Sequence, residues 1–320
     1  MESSLYRELT PDELAKVVAL ALHTEIRSSR LLSGGLFNTT YLVDTQGMGK
    51  VVLRVGPVNR HRLMPFEHRL MEAECEAYAL CRQQGIPVSE VLALDTEKQW
   101  IGRDVMIVRY IPSLPLIEAA LGPEDRVRID RDIGRATAKM HRITQRRFGR
   151  LPEVGAGKGF DRWSDFLLDE FEQWEGVAAP SGIFTPHQLG QMRRLWIRYA
   201  PLLDEVRTPS LVHTDLWEGN LLVSTDTPRP EFAAIIDADR ALWGDAEFEF
   251  SSIRWMLNDD FLAGYGRDIS HDGAHGTRQS LYCLLCGLWN AYVYEVEYND
   301  HEQMLRTRDE VREILRRLSA

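Results

Sequence analysis

The chain contains no apolar run approaching the roughly 18 residues that a membrane-spanning helix needs, so no membrane span is expected. Its start, Met1-Glu2-Ser3-Ser4-Leu5-Tyr6-Arg7-Glu8, lacks the basic flank and apolar core of a secretory leader. Cysteine is scarce, with four in 320 residues. Cys283 and Cys286 have Cys-x-x-Cys spacing, but the segment from Leu281 to Trp289 is apolar and no second pair stands at ligand spacing. That argues for structural thiols rather than a zinc site, and for the cytoplasm as the compartment. A basic excess is also missing: 38 Lys and Arg face 48 Asp and Glu, a formal net charge of -10. Phosphate backbones attract basic surfaces, so nucleic acid is not the expected partner, whereas a cationic small molecule is compatible. There is no internal repeat and no low-complexity tract. The remaining composition, 44% hydrophobic and 27% charged, is that of a globular protein able to bury a sizeable core.

Against this ordinary background stands Leu211-Val212-His213-Thr214-Asp215-Leu216-Trp217-Glu218-Gly219-Asn220, followed by Leu221-Leu222-Val223 and then Ala234-Ile235-Ile236-Asp237. A His-x-Asp-x-x-x-x-Asn run and an apolar strand ending in Asp form the layout of a kinase-type phosphoryl-transfer site. Such chemistry needs a carboxylate to take the hydroxyl proton of the acceptor; Asp215 fits. It also needs hard oxygens to hold magnesium on the phosphates, and Asn220 and Asp237 supply an amide and a carboxylate oxygen. Asp239 is the rival for the metal role, but Asp237 follows the apolar strand directly. Ser224-Thr225-Asp226-Thr227-Pro228-Arg229-Pro230 has turn composition, so the two flanking strands form a hairpin that brings Asp237 beside Asn220. His213 reads as a scaffold that hydrogen-bonds backbone near Asp237.

Thr10-Pro11-Asp12-Glu13 is a capping box opening a helix that runs through Leu22. Strand residues flank Ser33-Gly34-Gly35, and Gly47-Met48-Gly49-Lys50 turns into Val51-Val52-Leu53-Arg54-Val55. A helix is expected from about Glu67 to Gln84, stopped by Gly85 and Pro87. Val88 to Leu94 and Val105 to Tyr110 read as strands. Beyond Pro112-Ser113-Leu114-Pro115 the pattern is mostly helical: Pro123 to Ile143, Trp163 to Trp174, Pro186 to Tyr199, Ser280 to Tyr298 and His301 to Leu318. The expected class is α+β with two lobes, a small strand-rich lobe at residues 1–112 and a larger helical lobe at 113–320. This order suggests a protein-kinase-like fold, with a nucleotide in the cleft between the lobes.

With these residues in view, the chain resembles the aminoglycoside phosphotransferase family, which also holds choline, fructosamine and homoserine kinases. The match spans about residues 30 to 255. His213 to Asn220 looks like that family's His-Gly-Asp-Leu-x-x-x-Asn loop, with Thr214 in place of Gly. Ile235-Ile236-Asp237 and Gly244-Asp245 look like its metal-binding segment. Phe248-Glu249-Phe250 stands where the family carries Asp-Leu-Ala or a near variant. The resemblance implies ATP or GTP as donor, Mg2+, and a small-molecule hydroxyl acceptor bound by the helical lobe. It also implies that Arg54 holds phosphate, with Lys50 as the alternative, and that a carboxylate orients Arg54; Glu74 is preferred, with Glu72 and Glu76 as rivals. Ser33, Gly34 and Gly35 would lie over the phosphates, because glycine lets backbone amides approach an anion. Met106, Ile107, Val108, Arg109 and Tyr110 look like the hinge strand that meets the adenine. In the helical lobe Asp259, Asp260, Glu295 and Asp300 are candidates for binding acceptor ammonium groups. A cationic antibiotic is the expected acceptor; an amino-alcohol, sugar or amino acid is the alternative. A non-catalytic binding module would normally lose Asp215, Asn220 or Asp237. A protein kinase would need an extended activation loop, yet only seven residues separate Asp237 from Asp245.

Overall fold

The computed structural model describes residues 3–32, 37–251 and 257–319. Helix α1 (Pro11–Leu22) starts at the expected capping box. The Thr10 hydroxyl accepts the Glu13 amide, and the Glu13 carboxylate accepts the Thr10 amide. Strands β1 (Ile26–Leu31), β2 (Thr39–Thr45), β3 (Gly49–Val55), β4 (Val91–Asp95) and β5 (Val105–Arg109) make one antiparallel sheet in the order β1-β2-β3-β5-β4. Alternation along β3 sends Val51, Leu53 and Val55 into the core shared with Val17 and Val18 of α1. The intervening Val52 and Arg54 therefore lie on the opposite face, towards helix α2 (Leu70–Gln83).

The helix expected from Glu67 is a 3-10 segment, Pro65–Arg69, before it becomes α2. Glu67 there turns back to accept the Met64 amide. The strand expected from Val88 begins only at Val91. Val88 instead bridges to Ile235, whose amide donates to the Pro87 carbonyl, and this ties the two halves of the chain together.

After β5 the chain adds short strands to two further sheets. Strand β6 (Ser113–Pro115) pairs with β9 (Leu221–Ser224), which pairs with β10 (Phe232–Ile235). Strand β11 (Leu242–Gly244) lies between β7 (Gly149–Arg150) and β8 (Ser210–Val212). Around them pack helices α3 (Pro123–Met140), α4 (Leu151–Gly155), α5 (Trp163–Ala178), α6 (Pro186–Leu203), α7 (Asp259–Tyr265), α8 (Gly273–Tyr292) and α9 (His301–Ser319). Trp163, Trp174, Trp196 and Leu285 centre the helical core. A second core joins Met106 and Val108 of β5 to Leu221, Ile235 and Phe261. The segment expected as one helix from Ser280 to Tyr298 is α8 followed by a π-helical turn, Val293–Glu297. Among the described residues no helix is long and apolar enough to cross a membrane.

Candidate active site

Strand ends assemble the site. His213 follows β8, Asn220 immediately precedes β9, and Asp237 lies just past β10. The Ile236 amide donates to the Asn220 carbonyl at 2.9 Å, which holds the two candidate metal ligands side by side. His213 fixes the loop from within. Its Nε2 meets the Ile236 carbonyl at 3.0 Å and its Nδ1 accepts the Asp215 amide at 3.3 Å, an arrangement that selects the Nε2–H tautomer. Glu249 secures the loop from below. Fully buried, it accepts the His213 amide at 2.8 Å and the Thr214 amide at 2.9 Å. Burial works to raise its pKa, but His141, His213 and the amide bond bring it below the usual carboxylate range. Thr214 occupies the left-handed region at φ 72°, where its hydroxyl donates to the Arg240 carbonyl at 3.2 Å.

Asp215 sits at the end of this loop. The Asn220 amide nitrogen donates to its carboxylate at 3.0 Å and to its carbonyl at 2.8 Å. Both bonds use nitrogen, so the Asn220 oxygen is the atom left for a cation. Burial raises the Asp215 pKa; the Arg240 charge opposes that rise and Asp237 adds to it.

On the other side of the cleft, Arg54 donates to Glu74 and to Asp237, and it stands 3.9 Å from Asp239. Glu74 is fully buried and also accepts the Tyr78 hydroxyl at 2.6 Å; that hydroxyl in turn accepts the Asp237 amide at 3.0 Å. Glu72 instead pairs with Arg69. Burial pushes the Glu74 carboxyl up despite Arg54, because one guanidinium is divided among three acids. Asp239 is held well above its ordinary value by burial and by its acidic neighbours Asp237 and Glu74.

The donor chemistry fits a divalent cation. Glu74, Asp237 and Asp239 present carboxylate oxygens within 4.8 Å of one another, an acid excess that Arg54 alone does not neutralise. Asp237, with 38% of its side chain exposed, opens furthest to the cleft, whereas Asp239 lies deeper at 12%. Asn220 and Asp237 together offer the few hard oxygens that magnesium prefers.

A cavity of about 220 Å³ adjoins Asp215. Thr214, Asp237, Asp239 and Arg240 line it with Phe37, Trp289, Tyr294 and Tyr298. The acids proposed for ammonium binding are not among its lining residues. Asp260 pairs with Arg131 at 2.9 Å, Glu295 with His301 at 2.9 Å, and Asp300 accepts the Gln303 amide at the start of α9. Asp259 is exposed in the first turn of α7. Along β5, Met106 and Val108 pack towards Leu221 and Ile235, and Ile107 packs towards α1. The Arg109 side chain turns outward to Glu90 at 2.7 Å. The Tyr110 amide donates to the Lys50 carbonyl. Ser33, Gly34 and Gly35 lie outside the described residues.

Sequence reasoning did not single out Tyr78 or Arg240. Tyr78 carried a signal, since it stands four residues after Glu74 and so on the same helix face. Arg240 carried none beyond its closeness to Asp237.

Solved structures share the fold of this chain. A putative fructosamine-3-kinase from Thermobifida fusca is 18% identical, with a TM-score of 0.66 over 96% of this chain and 100% of that one. The GDP and kanamycin complex of APH(2")-IIIa is 15% identical, with a TM-score of 0.66 over 95% and 98%. The streptomycin-ATP-APH(2")-IIa ternary complex is 14% identical, with a TM-score of 0.64 over 96% and 97%. Identities this low carry the fold, which is the two-lobed, protein-kinase-like one. No curated protein sequence matches the chain. The family model described as the phosphotransferase enzyme family matches residues 28–281, from within β1 into α8 and across every strand end described above, and the chain belongs to that family.

Proposed function

We propose that the protein moves the terminal phosphoryl group of a nucleoside triphosphate to a hydroxyl of a small cationic molecule. One observation carries the reading: Asp215, which Asn220 holds by its amide nitrogen, lines a cavity with Asp237 and Asp239 on one side and Trp289, Tyr294 and Tyr298 on the other. The nucleotide lies between residues 1–112 and 113–320, with Arg54 on its phosphates and β5 beside its base. Asn220 and Asp237 hold magnesium, which when bound draws charge from the phosphate oxygens. Asp215 takes the proton of the acceptor hydroxyl. The acceptor oxygen then bonds to the terminal phosphorus as the bond to the bridging oxygen breaks, and the nucleoside diphosphate leaves with that electron pair. His213 transfers no proton, because both its ring nitrogens are occupied by backbone.

The acceptor's charge follows from the walls of the cavity. Three acids, Asp215, Asp237 and Asp239, stand against one guanidinium, Arg240, along its walls, and the aromatic faces favour a cation. An aminoglycoside antibiotic and an amino-alcohol metabolite both meet that description; modification of the first would confer resistance. Use of a nucleoside triphosphate supports the cytoplasm as the compartment. The APH(2")-IIIa structure holds GDP and the APH(2")-IIa structure holds ATP, so both donors belong in the assay. Purified protein is screened with each donor against aminoglycosides, amino-alcohols and uncharged sugars. Turnover is expected on cationic acceptors, and Asp215→Asn is expected to lower kcat by about 10²–10⁴ with nucleotide affinity retained. Near-normal turnover in that variant removes Asp215 from the mechanism, and preference for uncharged sugars overturns the cationic assignment.

A further inference from the structure

Glu297 is a buried acid outside the phosphotransfer site. It ends the π-helical turn Val293–Glu297, and its side chain is fully enclosed. Neither of its carboxyl oxygens receives a hydrogen bond from an N–H or O–H among the described residues. The side chain beside it is a second carboxyl, that of Glu67. Glu67 is also buried, and its oxygens are already engaged. Oε2 accepts the Met64 amide at 2.9 Å, and Oε1 accepts the Arg240 guanidinium at 3.0 Å.

Two ionised carboxylates in contact away from water would repel strongly, so one proton must lie between them. The cation decides where it sits. Arg240 bonds Glu67, so Glu67 carries the negative charge and Glu297 keeps the proton. The other titratable groups facing the pair, Tyr292 and Tyr298, are also pushed up by burial, Tyr292 to about 12, and so bring no further anion. Burial and the Glu67 charge push Glu297 up to about 10, in agreement with this assignment.

We propose that Glu297 is a neutral acid donating its O–H to Glu67, and that this one-proton pair positions Arg240 at the wall of the acceptor cavity. A π-helical turn is an uncommon element that often marks functional sites. Here Tyr294, within it, and Tyr298, just after it, line the cavity while Glu297 turns inward to the pair. Glu67 precedes α2 and Glu297 follows α8, so the shared proton also joins the nucleotide side of the molecule to the acceptor wall. The positioning role rests on the phosphotransfer reading; the protonation state does not.

The two parts are therefore tested separately. Infrared difference spectra of wild type against Glu297→Gln at about pH 8, well above ordinary carboxylate values, are expected to show loss of one carboxylic-acid carbonyl band. If no acid band is lost, the shared proton is overturned. Kinetics then test positioning. The side-chain amide introduced by Glu297→Gln still donates to Glu67, so this variant should keep acceptor KM within about twofold. Glu67→Gln alone lets Glu297 ionise in its stead, so the double variant Glu67→Gln with Glu297→Gln is decisive. It should raise acceptor KM about tenfold with nucleotide KM unchanged, through loss of a charged hydrogen-bond partner of Arg240. An acceptor KM equal to wild type in the double variant, or the same loss in Glu297→Gln alone, overturns the positioning role.

Discussion

At the scale of single residues, Thr214 shows how the candidate loop tolerates strain. A β-branched residue at φ 72° is held against its preference, at a cost of about 1–2 kcal/mol. Two bonds hold it, the amide to Glu249 and the hydroxyl to the Arg240 carbonyl. Thr214→Gly removes the strain and restores the residue typical of the resembling family. It also loses a hydroxyl bond worth about 1 kcal/mol and adds about 0.5–1 kcal/mol of chain entropy on folding. These effects nearly cancel, so the variant should unfold within about 1 kcal/mol of wild type in chemical denaturation. A loss several times larger would mean that the hydroxyl, and not the Glu249 carboxylate, fixes the loop. His213, Asp215, Asn220 and Asp237 were legible because a short loop and a hairpin force their spacing on the sequence. Arg240 was not legible, because its partner Glu67 lies 173 residues away and only the folded chain brings them together. Glu249 was noticed, yet its length left its role open until its two oxygens were seen to reach two consecutive amides.

At the scale of elements, the crossing of α3 and α7 depends on a glycine from each helix. A methyl group on Gly264 would stand 2.1 Å from the Arg131 carbonyl oxygen, and one on Gly134 would stand 2.2 Å from that of Phe261. Backbone cannot yield as a flexible side chain can, so Gly264→Ala must push the helices apart. A loss of about 1–3 kcal/mol is expected, seen as a lower thermal midpoint. Gly176 in α5 is the control, because a methyl group there meets nothing within 4 Å. Gly176→Ala should stabilise by about 0.5–1 kcal/mol through helix propensity. Equal effects at the two sites would show that α7 does not depend on close approach. Helix starts such as Thr10-Pro11 were readable because caps are local chemistry. The break of α8 into a π-helical turn was not, since the apolar period continues through Val293 and Val296 and only tertiary packing decides how the backbone winds. The start of β4 was misjudged for a similar reason: Val88 suits a strand, but Ile235 takes it as a partner from another part of the fold.

At the scale of the whole molecule, the acid excess lies inside the protein as well as on its surface. Burial raises the pKa of Glu74, Asp215, Asp239, Asp245 and Glu297, so the folded chain holds protons that the unfolded chain releases. Stability from such groups is fully present below the unfolded carboxylate value, 4.5 for Glu297, and is lost as pH rises through the folded value, about 10. Glu249 acts in the opposite sense. Its pKa is lowered in the folded chain, so its contribution is present above the ordinary carboxylate value and disappears as pH falls through its folded value. The two effects occupy different windows, which separates them experimentally. Urea midpoints measured from about pH 6 to about pH 10 should fall with rising pH, and Glu297→Gln should flatten part of that fall because an amide has no proton to lose. A slope identical to wild type in the variant would mean that Glu297 is already ionised in the folded protein, and Arg240 would then face two anions instead of one.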